Sequence, residues 1–336
     1  MNKPNTILIT GGAGYVGSLL SEQLSAEGFR VILYDTCFYG KEHIRENDNL
    51  KLIQADIRDK STFESAIHGV DQVIHLACIS NDPSFALNEN LCKTINYDCF
   101  EDLVSISKKN GVSKFIYASS SSVYGFSDSD NVTEEHELVP LTLYNKFKAM
   151  CEPLLEKYLD SKFVGVTIRP ATLCGYAPRC RLDLSVNILT NHAVNNSKIT
   201  VLGGGEQKRP NLDVRDMCRA YKTVLDASED KINNEVFNVS YDNKKIIELA
   251  KMVKTNTEKF FNKNNIEIEV KSETVDKRSY HVNSDKIKNI LGFEAKFSID
   301  DAIISLCQAF KDGHLPNSLS DPSYINVDTL KNNNVL

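Results

Sequence analysis

The chain has no apolar run approaching the ~20 residues that a membrane-spanning helix needs. The first strand pattern begins within a few residues of Met1, so no leader is expected, and the expected location is the cytoplasm. CxxC spacing is missing. The nine cysteines are odd in number and scattered, and Cys78, Cys174 and Cys307 lie inside apolar runs, so they read as reduced structural thiols rather than a disulfide or zinc framework, and no metal is expected. Nor is there a surplus of positive charge: 39 Lys and Arg against 45 Asp and Glu give a net charge of −6 and a pI near 5.7. That balance argues against nucleic acid or an anionic membrane as a main partner. No internal repeat is visible.

What is present is an ordinary globular composition, 41% hydrophobic and 25% charged, in a 336-residue chain long enough for one large domain or two coupled ones. The organising stretch is Ile7 to Gly17, ILITGGAGYVG: an apolar strand that runs into Gly11, Gly14 and Gly17 and then into a helix that begins with Tyr15 and Val16. A Cβ at such a turn would hold a diphosphate away from the backbone N–H groups and the positive end of the helix. The next strand, RVILYD, ends in Asp35, 18 residues after Gly17. A carboxylate there accepts hydrogen bonds from an adenosine ribose and repels a 2′-phosphate, so NAD is expected over NADP.

Strand patterns recur at Thr6–Thr10, Arg30–Asp35, Lys51–Asp56, Asp71–Ala77, Lys114–Ser119 and Phe163–Arg169, with helical patterns between them. This alternation predicts an α/β fold, a doubly wound parallel (Rossmann) sheet with a smaller mixed α/β lobe. The expected division is a dinucleotide-binding domain over 1–170, rejoined by about 211–241, and a substrate lobe with the C-terminal tail over most of 171–336. Asp56 and Ile57 close the third strand and could reach an adenine edge; Leu76 and Ala77 close the fourth and would lie against the cofactor. Strand-end core is the alternative for all four. The polar, Asn-rich tail from Asn317 is expected to be poorly packed or laid on the surface.

A Tyr followed four residues later by Lys shares one helical face. Tyr144 with Lys148, Tyr158 with Lys162, and Tyr241 with Lys245 all have this spacing, and about one such pair is expected by chance in a chain of this composition. Position selects Tyr144, which opens the helix after the Ser119–Ser122 strand end. An unperturbed Tyr is ionised only about one part in a thousand at neutral pH, a cost of roughly 4 kcal/mol, and a neighbouring Lys⁺ and a nicotinamide cation both favour the phenolate. Tyr144 could then take the proton of a substrate hydroxyl while hydride leaves the same carbon for the cofactor, with Ser120 orienting the oxygen.

Together these residues resemble the extended short-chain dehydrogenase/reductase family, the NAD-dependent epimerase/dehydratase group acting on nucleotide sugars. The resemblance covers about residues 5–312 and rests on GGAGYVG (Gly11–Gly17), Asp35, Asp56, HLA (His75–Ala77), Asn96, SSSSVYG (Ser119–Gly125), YNKFK (Tyr144–Lys148) and RPATLCG (Arg169–Gly175). It implies catalytic Ser120, Tyr144 and Lys148. It implies cofactor contacts at Gly11, Gly14, Tyr15, Val16, Gly17, Asp35, Asp56, Ile57, Leu76, Ala77, Asn96 and Lys148. The substrate is expected at Ser121, Ser122, Thr172, Arg179, Arg181, Asn187, Arg209 and Arg278, the last two arginines gripping a diphosphate. A homodimer is also implied.

Two departures bear on the reaction. Sugar 4,6-dehydratases carry Asp-Glu where this chain has Ser121 and Ser122, which speaks against dehydration. The 4-epimerases carry Asn at the position of Thr172. The segments GYAPRCRLDLSVN (175–187) and DKRSYHVN (276–283) look most like a subgroup that includes NAD-dependent dehydrogenases of GDP-heptoses used in surface polysaccharide synthesis. The leading expectation is a nucleotide-sugar 4-dehydrogenase or reductase, with a 4-epimerase as the near alternative and a non-catalytic dinucleotide sensor as the rival from another class.

Overall fold

A computed structural model describes residues 5–127, 129–272 and 281–333. The first half alternates β1 (Thr6–Thr10), α1 (Tyr15–Ala26), β2 (Arg30–Asp35), β3 (Leu50–Gln54), α2 (Lys60–Ala66), β4 (Gln72–His75), α3 (Asp82–Phe85), α4 (Glu89–Lys93), α5 (Phe100–Lys109) and β5 (Lys114–Ala118). Then follow α6 (Leu143–Glu156), β6 (Val164–Pro170), β7 (Thr172–Cys174), α7 (Ser185–Asn196), β8 (Lys198–Val201), β9 (Lys208–Asp213), α8 (Val214–Asp226), α9 (Glu229–Ile232) and β10 (Glu235–Val239). The chain closes with β11 (Asp242–Lys245), α10 (Ile246–Phe261), β12 (Glu267–Val270), α11 (Asp285–Leu291), α12 (Ile299–Lys311) and α13 (Asn326–Asn332).

Seven parallel strands form the main sheet in the order β10-β6-β5-β4-β1-β2-β3. The period of two in each strand explains how helices cover both faces: Ile7 and Ile9 point into one apolar cluster with Leu20, Met217 and Tyr221, whereas Leu8 points into the other with Phe63, Phe100 and Phe115. The chain leaves β1 towards β2 on one side and returns through β4 on the other. The carboxyl ends of β1 and β4 therefore flank a crevice, the place where doubly wound sheets bind ligands.

The smaller lobe is built from α7, α10 and α12 with the pair β8–β12 and the three-stranded sheet β11-β9-β7, around a separate apolar cluster that includes Cys174, Leu189, Ile199, Leu249 and Ile303. All nine cysteines are free. Among the described residues no helix is long and apolar enough to cross a membrane, and no group of His, Cys, Asp or Glu is arranged to hold a metal ion.

The tail departs from expectation. Leu330 is fully buried in the core that backs α5 and α6, and Asn326 and Thr329 are buried beside it. The Asn-rich composition conceals a short helix whose inward residues, at i, i+3 and i+4, are those that pack.

Candidate active site

A cavity of about 900 Å³ opens between the carboxyl ends of the main-sheet strands and the smaller lobe. Its size is that of a site for a cofactor or a substrate of drug-like dimensions or larger. The glycine loop forms one wall, and three of its glycines are already required by packing; a Cβ on Gly12 would meet the Leu33 side chain at 2.5 Å. A Cβ on Gly11, whose φ is +70°, would come within 2.6 Å of the Ala77 nitrogen, and one on Gly17 within 2.6 Å of the Gly12 Cα and carbonyl oxygen. Only Gly14 stands comparatively clear, 3.1 Å from the Gly11 oxygen, and it caps α1 without any side-chain hydrogen bond. The first-turn N–H groups of α1 thus lack a side-chain cap, with no acidic residue in that turn, and fit an anion such as the diphosphate of a dinucleotide.

Asp35 sits beside this loop. Its carboxylate accepts from the Ala13 N–H (3.0 Å) and the Cys37 N–H (2.7 Å), so it ties the glycine loop to the end of β2 as well as facing the cavity. Burial pushes its pKa up, against the two backbone hydrogen bonds and the charge of Arg179. Tyr15, Val16, Asp56, Ile57, Leu76 and Ala77 also line the cavity. Two of them are engaged elsewhere: the Tyr15 hydroxyl donates to the Gly175 carbonyl at 2.5 Å, and Asp56 is held by Arg58 through contacts of 2.6–3.1 Å. Burial opposes ionisation of Asp56, but the Arg58 hydrogen bonds outweigh it and its pKa is lowered.

Asn96 does not reach the cavity. Its amide takes both backbone groups of Ile79, the N–H at 2.8 Å and the C=O at 2.9 Å, and so pins the wall segment that follows β4. His75, in the neighbouring strand end, is 2% exposed and hydrogen-bonds Thr10 at 2.7 Å. Burial, with Lys148 nearby, drives its pKa down to about 3.

Ser120, Tyr144 and Lys148 line the same cavity. Thr142 caps α6 by accepting from the Asn145 N–H, which places Tyr144 in the first turn and Lys148 one turn on. The Lys148 ammonium is buried and donates to the Ala118 carbonyl at the end of β5, 2.6 Å away, leaving other N–H bonds to point elsewhere. Behind the serines lies a buried ion pair: Glu152 accepts from Arg169 (2.6 and 3.1 Å) and from Ser119 Oγ (2.6 Å), and Arg169 also donates to the Tyr124 hydroxyl at 2.8 Å. The other two Tyr-Lys pairs lie away from the site. Tyr158 donates to Glu101 at 3.2 Å and Tyr241 is 44% exposed; neither lines the cavity.

Of the expected substrate residues, Ser121, Ser122, Thr172, Arg179, Arg181 and Arg209 line the cavity. Asn187 does not. It is fully buried, and its amide holds the Gly175 N–H and the Arg181 carbonyl, bracing the turn that carries both arginines. Arg181 pairs with Asp183 (2.9 and 3.0 Å) and donates to Ser80. Arg179 lies beside α1: its N–H donates to Ser18, its guanidinium lies over the Tyr39 ring, and its Nη2 donates to Asn326 Oδ1 at 2.6 Å. Burial, with Arg181 nearby, lowers its pKa to about 10, and its Nε is buried with no hydrogen-bond partner. Arg278 lies outside the described residues. Sequence reasoning did not find Asn326 and Val327 of α13, which also line the cavity, because nothing local to the tail marks them.

Fold and cavity together define a dinucleotide-binding α/β protein of the short-chain dehydrogenase/reductase type. The sequence matches the model of the NAD dependent epimerase/dehydratase family over residues 7–240, and the chain belongs to that family. It is 34% identical over 204 residues to the uncharacterized protein y4nG of Sinorhizobium fredii, covering 60% of this chain and 49% of that protein. It is 30% identical over 256 residues to a UDP-N-acetyl-alpha-D-glucosaminuronate decarboxylase of Bacillus cytotoxicus, covering 72% of this chain and 77% of that one. It thus spans only about half the length of y4nG, and 59% and 47% of two further matches, a Xenopus tropicalis UDP-glucuronic acid decarboxylase and a Rhizobium meliloti UDP-glucose 4-epimerase. Among solved structures, the UDP-glucose 4-epimerase of Thermotoga maritima superposes with a TM-score of 0.79 at 25% identity, covering 91% of this chain and 99% of that one. The dTDP-glucose 4,6-dehydratase DesIV of Streptomyces venezuelae shares the fold, with a TM-score of 0.82 at 20% identity, covering 95% and 99%.

Proposed function

We propose that this protein catalyses NAD-dependent oxidation or reduction at carbon 4 of a nucleotide-activated sugar, in surface polysaccharide or deoxysugar biosynthesis. The observation that carries this reading is that Ser120, Tyr144 and Lys148 line one cavity with Asp35 and the open N-terminus of α1. On this reading residues 1–170, with about 211–241, hold the cofactor, and most of 171–336 holds the nucleotide and sugar.

Bound NAD supplies a hydride acceptor. Asp35 would accept from the adenosine ribose, the α1 N-terminus would hold the diphosphate, and Arg179 with its unpartnered Nε would add positive charge there. Lys148 is fixed by the Ala118 carbonyl, and its remaining N–H bonds would serve the cofactor ribose and the Tyr144 phenol. Tyr144 takes the proton of the sugar hydroxyl as the carbon is oxidised, and Ser120 orients the oxygen. Thr172, Arg181 and Arg209 bind the nucleotide diphosphate end.

A 4-epimerase is the second reading, favoured by the 30% identity over 162 residues to the Rhizobium meliloti UDP-glucose 4-epimerase. Both readings open with the same proton and hydride removal. The test is incubation of the NAD-loaded enzyme with UDP-, dTDP- and GDP-hexoses deuterated at carbon 4. Net NADH formation with a 4-ketose product supports the dehydrogenase. Return of the label to an inverted carbon without net NADH establishes the epimerase, and no reaction of any sugar overturns both.

A further inference from the structure

The short helix α13 enters the cavity wall through one amide. Asn326 is 2% exposed, and its side chain bonds on both sides: Oδ1 accepts from Arg179 Nη2 at 2.6 Å, and Nδ2 donates to Ser80 Oγ at 2.9 Å. Its backbone N–H donates to Asp183 at 3.3 Å. The orientation of the amide is forced, because a guanidinium only donates and so must face the oxygen. Ser80 Oγ also accepts from Arg181 Nη1 at 3.2 Å. Both of its lone pairs are then in use, and its own proton has no acceptor among the described residues. Ser80 lines the cavity, so that proton can serve a ligand there.

Arg179 stands in the same wall without a bonded counter-charge. It is 5% exposed; its side chain donates to the Ser323 carbonyl and to Asn326 Oδ1 and lies over the Tyr39 ring, and all three groups are neutral. The carboxylates near it are engaged elsewhere: Asp183 takes two hydrogen bonds from Arg181, and Asp35 takes the Ala13 and Cys37 N–H groups. A buried cation in this condition is costly unless a ligand brings an anion. Arg179 Nε and the Tyr39 hydroxyl, both buried, also lack partners. This corner of the cavity borders α1, whose Ser18 accepts from the Arg179 N–H at 3.2 Å, so it adjoins the helix end that fits an anion.

We propose that Asn326 is a positioning residue that makes Ser80 and Arg179 a donor subsite for a diphosphate, that of the cofactor. A nucleotide sugar carries the same group, and position favours NAD because the subsite borders α1. The amide is suited to the task. Its oxygen holds the guanidinium without neutralising it, and its NH₂ occupies a Ser80 lone pair, which leaves the hydroxyl proton for the ligand. A carboxylate would neutralise the cation, and an alkyl group would hold neither partner. The inference rests on NAD binding and not on the carbon-4 reading, because its test contains no reacting sugar.

Full-length protein freed of nucleotide is titrated calorimetrically with NAD, with UDP as the nucleotide-sugar diphosphate, and with adenosine as a probe without phosphate. Asn326→Ala and Ser80→Ala are each expected to raise the NAD dissociation constant about tenfold, the loss of one charge-assisted hydrogen bond. Ser80→Thr, which keeps the hydroxyl, should leave it nearly unchanged. Asn326→Asp adds a signature: its carboxylate gives Arg179 a resident counter-charge, so NAD should bind more weakly than to Asn326→Ala although the NAD-free protein melts no lower than the Ala variant. A purely structural role would rank the two variants alike in melting and in affinity. Adenosine affinity should be the same in all four variants. NAD affinity unaltered by Asn326→Ala, NAD bound as tightly by Asn326→Asp as by Asn326→Ala, equal losses for adenosine, or losses for UDP in place of NAD would each overturn the proposal. If Asn326→Asp does not fold, the other three variants decide. Failure of the unmodified protein to bind NAD counts against the cofactor assignment itself, whereas normal NAD binding with unaffected variants counts against the subsite alone.

Discussion

Replacing Glu152 by Ala should destabilise the protein and disturb the site together. The carboxylate is 9% exposed and its Arg169 partner 6%. Glu152 accepts two hydrogen bonds from Arg169 and one from Ser119, so its removal strands a buried guanidinium and a buried hydroxyl. Arg169 keeps the Tyr124 hydroxyl and the Glu134 carbonyl, neither of which carries a full negative charge. Breaking a buried pair in this way costs about 3–5 kcal/mol. At roughly 2 °C per kcal/mol for a chain of this size, Tm should fall by about 6–10 °C. Urea unfolding and thermal melts measure both quantities. A double variant, Glu152→Leu with Arg169→Met, should recover most of the loss, because replacing a buried pair by apolar groups is often neutral. Since Ser119 precedes Ser120, the single variant should also lose turnover, whereas Tyr144→Phe should lose turnover with stability intact. A cost for Glu152→Ala below about 1 kcal/mol, the range of a solvated pair, would refute the reasoning.

Tyr144→Phe should abolish turnover while cofactor and sugar affinity stay within a few-fold, and Tyr158→Phe and Tyr241→Phe should be near normal; equal losses in all three, measured by steady-state kinetics, would contradict the assignment of Tyr144. NAD should bind more tightly than NADP, and Asp35→Ser should narrow the gap; titration calorimetry checks the order. His75 is neutral when folded, its pKa lowered to about 3 by burial first and by Lys148 second, while the unfolded chain takes a proton below about 6.5. Its contribution is therefore present above about pH 6.5 and lost as pH falls towards 3, at up to about 1.4 kcal/mol per pH unit; His75→Gln should flatten that part of the stability–pH curve. Asn326→Ala should weaken NAD binding by releasing the Arg179 guanidinium, and unchanged affinity would remove α13 from the cofactor site.

Local pattern was enough for much of this molecule. Alternation of apolar runs with amphipathic stretches determined the parallel sheet, since a strand buried on both faces needs an unbroken apolar run and each crossover needs a helix. The glycine loop, Asp35 and the Tyr144–Lys148 spacing were legible because each is a short-range requirement of backbone geometry or helical pitch. What tertiary structure decided is where polar side chains spend their hydrogen bonds. Asn187, Asn96 and Tyr15 carry the right chemistry for a site, yet they are bonded to backbone groups 12, 17 and 160 residues away. Arg179 lies against α1 because Ser18, Tyr39 and Asn326 meet there, and the tail packed because Leu330 found the core behind α6. Residue type limits what a side chain can do; which partner it meets depends on long-range packing that no local pattern encodes.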